Sequence, residues 1–129
     1  MNMANPIERD TLREYVADLH NETYLQRAWV KEEIKDGDFP FDWVIDFFFD
    51  DTLYAEKPEV YIGKSLFNGE EVAAVRRMAT ALDTLLTACE GLGLSDAEYL
   101  QRPEWPAIHD AAQSLHTLIV SNDAKMAAS

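Results

Sequence analysis

A single cysteine, Cys89, means that no disulfide can form within this chain. Stability must come from packing, and with no secretory-type leader at the start the pattern points to a reducing, cytoplasmic setting. Glycine and proline are scarce, five of each in 129 residues, too few for a many-turned β architecture. No apolar run approaches the roughly 18 residues that a membrane helix needs, so a spanning segment is excluded. Basic residues are also few: 11 against 24 acids, a net charge of −13. That balance repels phosphate backbones, which argues against nucleic acid as a partner, and it steers basic proteins inward.

What is present reads as one all-α domain over 1–129, a compact bundle of about five to six helices, with 1–5 and 121–129 expected to fray. Asn5-Pro6-Ile7-Glu8 has a capping residue, a proline suited to the first helical position and a reciprocal glutamate. Leu12, Tyr15, Val16 and Leu19 follow at helical spacing. Asn21 opens a second helix through Trp29. Asn68 caps a long helix with an apolar seam at Val72, Val75, Ala79, Leu82, Leu86 and Cys89, which Gly91 and Gly93 end. Ser95 to Glu98 is a capping box, and Trp105, Ile108, Ala112, Leu115 and Ile119 form a second seam. Residues 41–50 are ambiguous. Phe41, Val44, Ile45 and Phe48 fit one helical face, whereas Trp43, Ile45, Phe47 and Phe49 would fit one side of a strand. Helix is expected, with a short irregular or strand-like segment as the alternative.

Motifs with catalytic potential fail on spacing or setting. Gly63-Lys64-Ser65 matches the end of a phosphate-binding loop, but Pro58 stands where that loop needs its first glycine. Cys89 lies on an apolar seam, where free cysteine behaves as a small hydrophobe. His109 and His116 share a helical face, His20 is remote in sequence, and no tight ligand cluster suggests a metal. No catalytic residue, cofactor or metal is therefore expected, and the chain reads as a non-enzyme.

The charge is uneven. Between Glu32 and Glu59 ten acids face only Lys35 and Lys57, so this stretch carries −8 of the −13. Phe39, Phe41, Trp43, Phe47, Phe48 and Phe49 are interleaved with the acids, more aromatics than one short helix easily buries. Aromatic anchors ringed by charge are favoured at protein interfaces. The expected partner-binding residues are therefore Asp38, Phe39, Asp42, Trp43, Asp46, Asp50, Asp51, Glu56 and Glu59, and the expected partner is a basic protein.

Phe49-Asp50-Asp51-Thr52, Ala55, Pro58, Ile62-Gly63, Glu98-Tyr99-Leu100, Pro103-Glu104-Trp105-Pro106 and Ala111-Ala112 resemble a family of small acidic bacterial proteins common in actinobacteria. The resemblance spans roughly residues 12 to 115 and implies no assigned activity. Its size and acidity are similar to those of immunity proteins of bacterial toxin systems, including contact-dependent inhibition, which would make a toxin domain the partner. A self-associating regulatory or scaffold protein, a homodimer through the seam around Val75 to Leu86 or that around Trp105 to Ile119, is the other expectation.

Overall fold

The structure, a computed structural model, describes residues 3–128. Six α-helices follow in order: α1 Pro6–Leu19, α2 Glu22–Leu25, α3 Phe41–Asp46, α4 Gly69–Ala88, α5 Asp96–Tyr99 and α6 Trp105–Ala128. The fold is all-α, with no strand among the described residues. α6 is the central element and packs along both α4 and α1. The seam residues Val72, Val75, Leu82, Ile108, Leu115 and Ile119 are buried against this interface, so both seams are occupied inside the monomer.

Local chemistry sets most boundaries. The Asn5 side chain accepts from the Glu8 N–H at 3.1 Å, Asn21 does the same for Tyr24, and Asn68 for Glu71. Each satisfies one donor that the first helical turn leaves orphaned. Ser95 and Glu98 form a complete capping box. Gly91 and Gly93 adopt φ of 79° and 64° just beyond α4, conformations that a side chain would resist. Two of the helices widen before they end: α2 runs into a π-helical turn at Gln26–Val30, and α3 into one at Phe47–Asp51. Residues 41–51 are thus helical throughout, resolving the strand alternative.

Residues 4–5 and 121–128, expected to fray, are held by hydrogen bonds and by the last helix. Ala4 and Asn5 donate backbone hydrogen bonds to the Gly63 and Lys64 carbonyls at 3.1 and 2.7 Å. At the other end, 121–128 continues α6, and Asn122 is buried. Met1, Asn2 and Ser129 lie outside the described residues. The reason is a polar cluster invisible in an apolar pattern. Arg9 donates to both Glu71 carboxylate oxygens at 2.7 and 2.9 Å and to the Ser65 carbonyl at 3.0 Å. Asn122 and the Phe67 N–H each add a donor to Glu71, at 2.8 Å. Asp123 accepts from Arg9 and Arg13. This cluster clamps α1, α4 and α6 together, which helix seams alone would leave free to slide.

Candidate functional site

The acidic stretch folds around α3 and the π-helical turn that continues it. Phe47 and Phe48 are both buried, at 8% and 0% exposure, while Asp50 and Asp51 stay exposed. Thr52 closes the turn by donating its hydroxyl to the Phe47 carbonyl at 2.6 Å. Burying a phenylalanine such as Phe48 contributes about 1.5–3 kcal/mol, so the aromatics are spent on the core. Phe39 and Phe41 are buried as well. Phe39 packs edge-on against Tyr15, with ring centroids 4.7 Å apart, and Phe41 lies among Trp29, Tyr99 and Trp105.

The aromatic surplus expected from sequence is therefore resolved inward. Phe39 is a core residue and is not available as an anchor. Of the seven aromatics in the stretch, the buried Tyr54 included, Trp43 alone stays largely outside, 56% exposed. Asp42, Asp46, Asp50 and Asp51 surround it on the outer side of α3 and its turn, all exposed. None of them is paired with a Lys or Arg among the described residues. The consequence is visible at Asp46, whose carboxyl is raised above the usual range. Partial desolvation comes first, then the charges of Asp50, Asp51 and Asp42.

Three other expected residues are placed differently. Both Asp38 oxygens are taken by the Arg27 guanidinium at 2.7 and 2.9 Å, and the Lys35 N–H adds a third donor. That pairing lowers Asp38 to about 2, the Arg27 hydrogen bond being the main cause; its work is closing the 31–38 loop. Glu59 pairs with Arg76 on α4. Glu56 is exposed in the connector after α3.

The structure adds acids that sequence reasoning missed. Asp18 on α1 is pushed up to about 6, by burial first and then by Glu14 and Asp38, against the lowering effect of Arg27. Tyr15 is raised by burial and by the charges of Glu14 and Asp51, which places this edge of α1 beside the α3 turn. Glu14 and Asp18 lie four residues apart on α1, a spacing that was available as a signal. Asp96 accepts from the Phe41 N–H at 3.2 Å and is raised by burial and by Asp42.

Beside this face is a groove of about 570 Å³ between the 28–40 segment and the start of α5. Elsewhere, His20, remote in sequence, meets His116: Nε2 and Nδ1 lie 3.1 Å apart, with His109 alongside. Among the described residues no group of three or more His, Cys, Asp or Glu is placed to hold a metal ion, and no helix is long and apolar enough to cross a membrane. Cys89 is buried, and the Ser65 hydroxyl is engaged with Tyr54 at 2.6 Å, so Gly63-Lys64-Ser65 is a structural turn.

Fold and site together define a helical domain presenting a tryptophan in an unneutralised acidic face. The chain belongs to the family described as Domain of unknown function (DUF7945), whose model matches residues 3–127. No curated protein and no solved structure matches it.

Proposed function

We propose that this chain is a non-catalytic protein-binding module that docks a basic protein domain on the α3 face, as an immunity protein covers a toxin. The observation that carries the reading is the unrelieved charge around Trp43. Four exposed carboxylates share one face, none of them paired with a Lys or Arg among the described residues, and Asp46 is raised by partial desolvation first and then by its acidic companions. A fold bears such repulsion at a cost to its own stability, and a basic partner removes it. Trp43 supplies the anchor that interface energetics favour, and the acids accelerate encounter. The immunity role rests on size and acidity, and a cytoplasmic location on the single cysteine.

The test is co-expression with the basic C-terminal domain of a large secreted protein encoded beside its gene. A nanomolar complex that Trp43→Ala weakens by about 30-fold or more is expected, the scale of an interface hot spot. A neighbourhood without such a protein overturns the immunity role. An affinity unchanged by Trp43→Ala overturns the docking face.

A further inference from the structure

The groove beside α3 has a chemistry that selects its occupant. Its apolar wall is Trp29, Val30, Ile34 and Ala97. The Trp29 indole N–H is already donated to the Phe39 carbonyl at 3.0 Å, and the residue is only 4% exposed, so Trp29 forms an apolar floor to the groove. Val30 and Ile34 are 43% and 66% exposed, with nothing covering them. The segment is held open by its backbone: Glu32 sits at φ 56°, a region that residues other than glycine rarely occupy. Two bonds across the loop fix it there, from the Glu33 N–H to the Arg27 carbonyl at 3.0 Å and from Arg27 to the Glu33 carbonyl at 2.6 Å.

The charged groups lining the groove are all carboxylates, Glu32, Asp38 and Asp96, and no basic residue lines it. Asp38 is consumed by Arg27. Asp96 is not: one oxygen accepts from the Phe41 N–H, and the other has no partner among the described residues. We infer that the groove receives a cationic side chain with an aliphatic stem, a lysine or arginine of the basic partner. Its stem would lie along Trp29, Val30 and Ile34, and its head would meet Asp96 and Glu32. Long basic side chains divide in this way between apolar wall and charged rim. A neutral apolar group would desolvate Asp96 without pairing it, and an anionic one would be repelled. A second copy of this chain, at −13, is a poor source. The volume falls within the roughly 300–1,000 Å³ typical of ligand pockets. The inference rests on the docking face proposed above, since Asp42 couples electrostatically to Asp96 and joins groove to face.

The test titrates the isotope-labelled full chain with n-hexylammonium and with n-hexanol, following the Trp29 indole N–H and the Ala97 amide by NMR. Saturable shifts at both reporters, at least tenfold tighter for the ammonium, are expected. Asp96→Asn keeps an acceptor for the Phe41 N–H and so preserves the fold, which an unshifted Trp29 resonance in the free variant would verify. It should weaken hexylammonium binding at least fivefold. Equal affinity for the alcohol, an Asp96→Asn variant that binds like the parent, or no shift at either reporter overturns the inference. Shifts confined to the Trp43 indole overturn the groove while leaving the docking face intact. Groove binding as expected, combined with a partner complex indifferent to Trp43→Ala, would sink the face and keep the groove.

Discussion

Replacing Arg9 with methionine removes the charge that neutralises Glu71 at the junction of α1, α4 and α6. The two side chains are 4% and 0% exposed, so water cannot take over from the lost partner. Breaking such a buried pair from one side costs about 3–5 kcal/mol. Glu71 would keep the Phe67 N–H and the Asn122 amide, and Asp123 would keep Arg13. These remaining contacts place the expected loss at the low end, about 3 kcal/mol. For a chain of this size that lowers the melting temperature by about 10–15 °C. Urea unfolding followed by circular dichroism measures the loss. Adding Glu71→Gln removes the stranded charge, and the double variant should be more stable than Arg9→Met alone, a coupling expected of residues in direct contact. A single-variant loss below about 1 kcal/mol, the scale of an exposed ion pair, would show that the cluster is solvated and does not clamp the helices.

Asp18→Asn should stabilise the protein at pH 7. The native carboxyl titrates near 6, above the unfolded value, so stability present at low pH is lost as pH rises toward 6 and beyond. With the group partly exposed, screening reduces the gain to about 1 kcal/mol; an identical stability–pH profile for variant and parent would refute it. The His20–His116 contact acts in the opposite sense. Both are lowered, by burial first, His20 then by its neighbouring histidines and His116 by Arg13. Stability present above about pH 6.5 is therefore lost on acidification. His116→Gln should flatten that acid limb between pH 7 and 5.5, and an unaltered slope in thermal melts would count against the contact. Cys89, buried at the end of α4, should resist Ellman's reagent in the native protein and react on unfolding; rapid native labelling would contradict its burial.

How much of this was legible in sequence depended on range. Asn5-Pro6, Asn68 and the Ser95–Glu98 box announced helix starts because a cap is a contact across three residues. The seams of α4 and α6 were readable as faces, and the structure pairs them with each other. The π-helical turn at 47–51 was not readable. Nor were the distant contacts that take up the apparent aromatic surplus, Phe39 on Tyr15 and Phe41 among Trp29, Tyr99 and Trp105, leaving Trp43 outside. The Arg9–Glu71–Asn122 cluster was missed because its members are 51 to 113 positions apart and polar, so hydrophobic periodicity ended α6 too early. His20 and His116 met for a similar reason: only the packing of α1 on α6 brings them together.

The claim that the α3 face docks a basic partner is tested most directly by association kinetics. Rate constants for the basic domain would be measured between 50 and 500 mM salt, for the parent and for Asp42→Asn/Asp46→Asn/Asp50→Asn. Electrostatic steering predicts that the parent slows at least tenfold across that range. The triple variant should be slow at low salt and nearly indifferent to it. It should also melt no lower than the parent, since the repulsion around Asp46 is relieved. A triple variant that associates at the parent's rate, with the parent's salt dependence, would contradict the account.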